Sequence, residues 1–503
     1  MVTQWNECEQ QFMDYTKRIA QYEEAINLMY WDLRTGAPSK GVEGRSGVIA
    51  TLSQTVHEWY TSDQMKLYIN QLKDESKNEL IQKSVEQCEK NYNQFVKIPP
   101  EEYKEYVVLQ SQSEAAWEKA KETNDFELFL PYLEKMVAYN KKFANYWGYE
   151  DHPYNALLDQ YEPGMTVNVL DDVFSKVRIA LTELLHQVTQ SSVQPDASLL
   201  QVDFPNEQQK AFSIEILKRM GYDFDAGRLD ETVHPFAIEL NSGDVRITNN
   251  YNEKDFRVAT FGTIHEGGHA LYEQNIAKDL AYTPLAGGTS MGIHESQSLF
   301  WENFVARSEA FWKHHYPLFQ SYAPDTFKHV DFTSFYSAIN EVKPSFIRIE
   351  ADELTYCLHI MVRYELEKAL INNEIEVKDL PQLWNDKMEQ YLGIRPTSNK
   401  VGILQDVHWA GGAFGYFPSY ALGYMYAAQL YEAMTRQIDV DDMIQNGDFT
   451  AIRQWLTEHI HQHGKKKKPL QLLMDATGEA LNPNYLIQYL KRKYEDLYQI
   501  KGS

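Results

Sequence analysis

Apolar residues recur every third or fourth position along most of this 503-residue chain, which is the spacing of one face of an α-helix. The clearest example is the N-terminal stripe of Trp5, Cys8, Phe12, Tyr15, Ile19, Tyr22, Ile26 and Met29. Almost the only strand signal is the alternation of Ile238 with Leu240 and of Val245 with Ile247, joined across Asn241-Ser-Gly243. The sequence therefore predicts a mainly α-helical fold with one small β-hairpin or sheet.

The N-terminal stripe is expected to pack against a second helix at about Val48 to Trp59, forming a helical hairpin over residues 1–60. The turn-rich segment from Trp31 to Pro38 would connect these two helices. The hairpin is interpreted either as ordinary core packing or as a hinged flap over a cleft. Further helices are expected up to about Met220 and again from Asp255 onward.

Charge and cysteine content narrow the classes of partner. Acidic residues outnumber basic ones by 72 to 48, and the formal net charge of −24 disfavours nucleic acids and anionic membranes as partners. Cys8, Cys88 and Cys357 are far apart and odd in number, so neither a disulfide framework nor a thiolate metal site is predicted. The N-terminus has no signal-peptide pattern and no apolar run is long enough to span a membrane, so a cytoplasmic location is expected. The basic run Lys465 to Lys468 is interpreted as a solvated loop.

The segment His265-Glu-Gly-Gly-His269 matches the H-E-x-x-H pattern of metallopeptidases. Two histidines four positions apart lie on one face of a helix, so both imidazoles can reach the same metal ion. Glu266 would lie beside the metal, where it suits a base acting on water. The neighbouring Gly267 and Gly268 each weaken a helix by roughly 1 kcal/mol relative to alanine. Such a pair predicts that another part of the chain approaches the backbone closely there.

A catalytic zinc site needs a third protein ligand and an open position for water. Glu295 lies 26 residues after His269, at the start of an apolar-patterned helix expected to run through Phe300, Phe304 and Phe311. A helix, a turn and an antiparallel helix would bring Glu295 back to the metal. His294 is the alternative ligand, although lining a cleft or pairing with a carboxylate suits it better.

The tetrahedral oxyanion formed during peptide hydrolysis needs hydrogen-bond donors already in place. His408 and Tyr420 are the candidates, although by spacing alone each is as well explained as a buried structural residue. The metal-binding core would then span about residues 230–430. Because no repeat, low-complexity tract or Gly/Ser/Pro-rich linker divides the chain, a single catalytic unit over residues 1–503 is predicted.

The whole chain resembles the carboxypeptidase Taq family, the thermostable metallocarboxypeptidase 1 type. The resemblance is carried by Trp31-Asp32 with Arg34-Thr35, His234-Pro-Phe236, Asp244 to Thr248, His265 to His269, His294 to Gln297, Ile347 to Tyr356, Gly402 to Trp409, and Thr477-Gly478. It implies a helical body with a deep groove, similar to neurolysin and angiotensin-converting enzyme. It also implies a homodimer that removes single residues from peptide C-termini with broad specificity, using zinc or cobalt.

Carried over to this sequence, the resemblance makes His265, His269 and Glu295 the metal ligands and Glu266 the general base. It also favours His408 and Tyr420 as oxyanion donors, with Tyr416 and Tyr424 as substitutes for Tyr420. One departure concerns the acidic residue that many helical zinc peptidases carry four positions after the glutamate ligand. That position is Leu299 here, and Ser298 or Glu302 would have to support the ligands instead.

An exopeptidase must also bind the free C-terminal carboxylate, which a guanidinium does best through two parallel hydrogen bonds. Arg348 is the first candidate, in a segment expected to be helical with Glu350, Asp352 and Glu353, any of which could pair with it instead. Arg246 on the hairpin is the second, and His234 is a further substrate-binding candidate. An endo-acting oligopeptidase would share every metal residue and lack only this clamp. A non-catalytic scaffold with a structural metal is disfavoured, because it has no use for Glu266.

Overall fold

The computed structural model describes residues 5–500, and its architecture is almost entirely helical. Helix accounts for 70% of the chain and strand for 3%. The α-helices of the first half are α1 (Glu7–Thr35), α2 (Val42–Tyr60), α3 (Asp63–Glu75), α4 (Glu79–Val96), α5 (Pro100–Thr123), α6 (Phe126–Trp147), α7 (Tyr154–Tyr161), α8 (Val167–Gln190) and α9 (Asn206–Met220). The predicted fold class is confirmed.

The first four helices enclose an apolar core of their own. It contains Phe12, Met13, Ile19, Ile26, Ile49, Val56, Met65, Tyr68, Ile69, Leu72, Ile81, Val85 and Cys88. The N-terminal stripe therefore packs as predicted, but the unit it helps to form extends through α4, beyond residue 60. The predicted connection from Trp31 to Pro38 is partly wrong, because α1 continues to Thr35 and ends at Gly36, whose N–H bonds to the carbonyl of Asp32.

A three-stranded sheet follows α9, with β1 (Leu229–Glu231), β2 (Ala237–Asn241) and β3 (Asp244–Asn249) in the order β1-β3-β2. The predicted hairpin is confirmed, since β2 and β3 are antiparallel and Asn241 pairs with Asp244 across the turn. The parallel partner β1 was not predicted. Three residues are too few to show an alternating pattern.

The second half of the chain is helical again and, together with most of the preceding helices, forms one large core. Its α-helices are α10 (Phe256–Gln274), α11 (Met291–Leu299), α12 (Glu309–Tyr322), α13 (Phe332–Ile339), α14 (Tyr356–Ile371), α15 (Leu380–Leu392), α16 (Pro418–Thr435), α17 (Val440–Asn446), α18 (Thr450–His459), α19 (Pro469–Thr477) and α20 (Asn484–Leu497). Short 3₁₀ helices cover Ser39–Gly41, Ala197–Leu200, Lys278–Leu280, Asp325–His329, Arg348–Glu350, Val377–Asp379, Asn399–Val401 and His461–Lys466.

Three local expectations in this half are wrong. The single helix expected from His294 through Phe311 is instead α11, a π-helical segment over Phe300–Ala306, and then α12, which Ser308 caps anew. Arg348 lies in a 3₁₀ turn, since α14 begins only at Tyr356. The run at Lys465 is not a solvated loop: its first two residues end a 3₁₀ helix, and Lys466 and Lys467 form ion pairs with Asp279 and Asp475.

Among residues 5–500, no helix combines the length and apolar character that crossing a lipid bilayer requires.

Candidate metal centre and active site

Three side chains bring metal-ligand atoms together between α10 and α11. The ligand atoms of His265, His269 and Glu295 all lie within 4.8 Å of one another. Oε2 of Glu295 is 3.7 Å from Nε2 of His265 and 3.5 Å from Nε2 of His269. Two ligands at 2.0–2.1 Å from a tetrahedral zinc ion are about 3.4 Å apart, so this nitrogen, nitrogen and oxygen set fits such an ion.

The paired glycines of the motif explain how other helices approach α10. A Cβ at Gly268 would lie 2.5 Å from the carbonyl oxygen of Gln297 and 2.7 Å from Cα of Ser298, both on α11. A Cβ at Gly267 would lie 2.7 Å from Cδ2 of Leu217 on α9. The close approach predicted from these glycines is therefore confirmed, and at Gly268 it brings the helix of Glu295 to the two histidines.

Glu302 in the π-helical segment supports His265. Its Oε2 lies 3.0 Å from Nδ1 of His265, and its Oε1 accepts a hydrogen bond from Nη2 of Arg307 at 3.0 Å. Such a bond orients the ring and leaves Nε2 free to face a metal. Ser298 contributes as well, since its hydroxyl donates to the carbonyl oxygen of Glu295 at 2.7 Å. Both residues considered in place of an acidic residue at position 299 thus contact the site.

His294 supports the other histidine. Its Nδ1 lies 2.6 Å from Nδ1 of His269, and its Nε2 lies 2.7 Å from Oε1 of Glu273. The expected pairing of His294 with a carboxylate is confirmed. The sequence analysis did not single out Glu273, although its position one turn after His269 on α10 was a usable signal.

Glu266 is buried beside the candidate ligands, and within residues 5–500 no lysine or arginine forms an ion pair with its carboxyl group. Burial raises the pKa of Glu266 to about 7, even though His265 opposes the rise. Burial also acts to lower the pKa of His265, but the carboxylates of Glu295 and Glu302 raise it to about 10. A carboxyl group with a pKa near neutrality can both accept and return a proton at physiological pH.

His408 and Tyr420 form a pair near the metal-ligand helices. Nε2 of His408 lies 3.1 Å from the hydroxyl oxygen of Tyr420. Burial lowers the pKa of His408 to about 4; Asp406 opposes this change and Arg348 reinforces it, so the imidazole is neutral. Tyr416 packs on Tyr420, with ring centroids 5.2 Å apart. The hydroxyl of Tyr424 instead donates a hydrogen bond to Glu353.

Arg348 is held by Asp406 and not by any of the three acidic residues expected to compete for it. Its Nε and Nη2 donate to Oδ1 of Asp406 at 3.1 and 3.0 Å, while Arg363 binds the other oxygen of the same carboxylate. The guanidinium of Arg348 also lies 4.9 Å from the ring centroid of Tyr420. Asp406 therefore joins Arg348 to Arg363 and holds the Arg348 guanidinium beside Tyr420, a role that the sequence analysis did not assign.

Tyr356 at the start of α14 is a further neighbour that the sequence analysis did not single out. Its ring centroid is 6.4 Å from that of Tyr420. Burial and the negative charge of Glu295 raise the pKa of Tyr356 well above its usual range, so its hydroxyl keeps its proton.

Comparison with known proteins places this geometry in a family. Residues 11–494 match the family described as Carboxypeptidase Taq (M32) metallopeptidase. The chain is 56% identical over 493 residues to carboxypeptidase 1 of Bacillus subtilis, covering 97% of this chain and 98% of that one. It is 38% identical over 510 residues to thermostable carboxypeptidase 1 of Thermus thermophilus, again covering 97% and 98%. The chain belongs to the carboxypeptidase Taq family.

The solved structures agree. The M32 carboxypeptidase of Deinococcus radiodurans matches with a TM-score of 0.95 at 34% identity, over 98% of this chain and 100% of that one. This protein is therefore a metallocarboxypeptidase, and the resemblance and enzyme class stated from the sequence are confirmed.

The remaining substrate-binding candidates of this metallocarboxypeptidase lie at the sheet. Nε and Nη2 of Arg246 on β3 donate to Asp244, and its guanidinium lies over Trp31, 5.6 Å from the ring centroid. Arg246 and Trp31 line a cavity of about 490 Å³ together with Arg228 and Lys210. His234 is exposed just before β2. Arg246 thus lies on the sheet and His234 on the loop between β1 and β2, not on α10 and α11, which carry the candidate metal ligands.

Proposed function

We propose that this metallocarboxypeptidase releases single residues from peptide C-termini with broad side-chain specificity, using a zinc or cobalt ion held by His265, His269 and Glu295. The observation that carries the proposal is the cluster of three ligand atoms within 4.8 Å of one another, beside the buried carboxyl of Glu266. When bound, a divalent ion there supplies a Lewis acid that lowers the pKa of a water molecule and polarises the scissile carbonyl.

Glu266 acts as the general base. Its place next to His265 puts the carboxyl beside the metal ligands without making it one of them, and its raised pKa suits proton uptake. Glu266 takes the proton of the attacking water and passes it to the leaving amine.

Tyr420 and His408 supply the donors for the oxyanion. The tyrosine hydroxyl stays protonated, because burial raises its pKa well above the usual range. Before substrate arrives, its bond to His408 and the guanidinium of Arg348 over its ring hold it in one orientation, and the two donors exchange their mutual bond for bonds to the oxyanion. Donors held in place in this way contribute most where negative charge develops in the transition state.

Arg348 is the first candidate for binding the C-terminal carboxylate. Its Nε and Nη2 donate to Asp406, so Nη1 is the group that would donate to the substrate carboxylate. The position of the guanidinium over the ring of Tyr420 supports the assignment. Arg246 and His234 remain the alternatives, but the basic side chains around the Arg246 cavity are already ion-paired with Asp230, Glu231 and Asp244, which favours Arg348.

We also propose that the protein is a cytoplasmic homodimer. Cys8, Cys88 and Cys357 are free thiols, which supports a reducing compartment such as the cytoplasm. The net charge of −24 supports peptides as partners, not nucleic acids or anionic membranes. A homodimer follows from the family resemblance and is checked by light scattering of the purified protein.

The deciding experiment is timed mass spectrometry of an N-acetylated peptide with a free C-terminus. Metal-loaded wild type is compared with Glu266→Gln, and the same peptide with an amidated C-terminus is the matched control substrate. A ladder that loses one C-terminal residue at a time, absent with the variant and with the amide, supports the proposal. Internal fragments from both peptides would contradict single-residue release, and a ladder from Glu266→Gln would contradict the base.

A further inference from the structure

A line of hydrogen bonds leads from the metal ligand His269 to the sheet. If His269 binds a metal through Nε2, its Nδ1–H donates to Nδ1 of His294, and Nε2–H of His294 donates to Oε1 of Glu273. Oε1 of Glu273 also accepts from the backbone N–H of Gly288 at 3.0 Å. Glu273 thus accepts two hydrogen bonds at Oε1, which favours its ionised form.

The other oxygen of Glu273 meets a second carboxyl group. Glu273 is 6% exposed, and within residues 5–500 no N–H or hydroxyl group donates to its Oε2. The side chain of Glu239 on β2 lies within hydrogen-bonding reach of Glu273. Two carboxyl groups can share a hydrogen bond only when one of them carries a proton. Donors from His294 and Gly288 stabilise an ionised Glu273, whereas within residues 5–500 no N–H or hydroxyl group donates to the carboxyl of Glu239, so the proton belongs on Glu239.

The surroundings of Glu239 agree with a neutral acid. Burial and the negative charge of Glu273 raise the pKa of Glu239 to about 9, with Lys465 opposing the rise. Its backbone carbonyl accepts a hydrogen bond from Nδ2 of Asn27 on α1 at 3.0 Å, which holds this part of β2 against the N-terminal helices. Its side chain lines a cavity of about 440 Å³, and Glu23, Glu24 and Lys465 line the same cavity.

We propose that Glu239 is a positioning residue of the metal centre. As a neutral carboxylic acid it donates to Oε2 of Glu273, and through Glu273 and His294 it holds the ring of His269 in the orientation that binds the metal. This inference rests on the proposed metal site. Outer partners of this kind change metal affinity by roughly 10- to 100-fold when they are removed from other metal sites.

The test is the zinc dissociation constant of the full chain, measured by competition with a chelator. Glu239→Leu removes the donor and leaves the buried oxygen of Glu273 unpaired, so zinc should bind roughly 10-fold more weakly. Glu239→Gln keeps an N–H donor and no charge, and it should stay within about 3-fold of wild type. Glu23→Leu is the matched control, because Glu23 lines the same cavity and bonds to Tyr60, not to Glu273.

A rescue by glutamine but not by leucine supports the proposal, and the visible spectrum of the cobalt-loaded Leu variant should change with it. If Glu239→Leu is not folded by circular dichroism, Glu239→Met takes its place. Equal zinc affinity of the apolar variant and wild type, or equal weakening by Leu and Gln, would overturn the inference while leaving the proposed function intact. Failure of wild type itself to bind zinc would overturn both.

Discussion

Gly423 on α16 lies directly against Glu295 on α11, the proposed third metal ligand. A Cβ at position 423 would be 2.7 Å from both Cβ and Cγ of Glu295. Tyr420 stands three residues earlier on α16 and therefore on nearly the same face of that helix. A single glycine thus brings the helix of the proposed oxyanion donor against the helix of the third ligand.

Gly423→Ala should therefore displace Glu295. In an open helix this substitution would add about 1 kcal/mol of stability, but here the methyl group would overlap the ligand side chain. We expect zinc affinity to fall roughly 10-fold, as for the loss of a ligand's support, measured by chelator competition. Gly47→Ala on α2 is the control, since a Cβ there meets nothing within 4 Å. Unchanged zinc affinity of Gly423→Ala would show that Glu295 can shift without loss.

Glu302→Gln should loosen metal binding through His265. The amide keeps the size of the side chain but loses the charge that makes the His265 ring a better ligand. The zinc dissociation constant should rise roughly 10- to 100-fold. Glu309→Gln on α12 is the control, because Glu309 is exposed and forms an ion pair with Lys313, away from His265. Wild-type zinc affinity of Glu302→Gln would mean that the Glu302 carboxylate is needed for its ion pair with Arg307 and not for metal binding by His265.

Glu266→Gln should separate chemistry from metal binding. The glutamine cannot take up a proton, so peptide hydrolysis should become undetectable by the mass-spectrometric ladder assay. The three ligands remain in place, so the zinc content measured by atomic absorption should match wild type. Loss of zinc from this variant would instead assign Glu266 a role in holding the metal.

Tyr420→Phe should lower kcat and leave KM nearly unchanged. The phenol donates only to an oxyanion that develops after substrate has bound, and removal of one such donor costs roughly 10²- to 10³-fold in kcat. Steady-state kinetics on an N-blocked dipeptide measure both constants. A raised KM with wild-type kcat would mean that Tyr420 binds the substrate ground state.

Asp406→Asn should lower the free energy of unfolding at neutral pH, and the loss relative to wild type should be smaller at acid pH. Burial acts to raise the pKa of Asp406, but Arg363 and Arg348 hold it well below its usual range. Breaking a buried pair of this kind costs about 3–5 kcal/mol. The pairing is fully present above the unfolded-state pKa of about 4, and below it wild type loses about 1.4 kcal/mol per pH unit as Asp406 titrates.

Urea unfolding of Asp406→Asn and wild type at pH 7 and pH 3 measures that difference. The gap in the free energy of unfolding should narrow by about 1 kcal/mol or more between the two conditions. A gap that stays constant would mean that Asp406 is not ionised through this interaction.

The sequence alone determined the helices, the hairpin and the spacing of the two histidines, because each depends on residues only a few positions apart. The three-to-four spacing of Phe12, Ile19 and Ile26 predicted their helix, and the i, i+4 spacing of His265 and His269 placed both rings on one face. The turn at Gly243 likewise predicted its hairpin. Glu295 was also named as the third ligand, although from connectivity and family resemblance.

Only the tertiary structure decided which side chains surround these residues. Acidic residues two to five positions after Arg348 were the expected alternative partners of its guanidinium, yet its actual partner, Asp406, lies 58 positions away. Glu302, 37 positions from His265, reaches it by way of a π-helical segment that no pattern indicated. Glu239 and Glu273 meet because β2 lies against α10. Such contacts depend on how whole helices pack at Gly268 and Gly423, and side-chain packing over long chain separations leaves no periodic trace in the sequence.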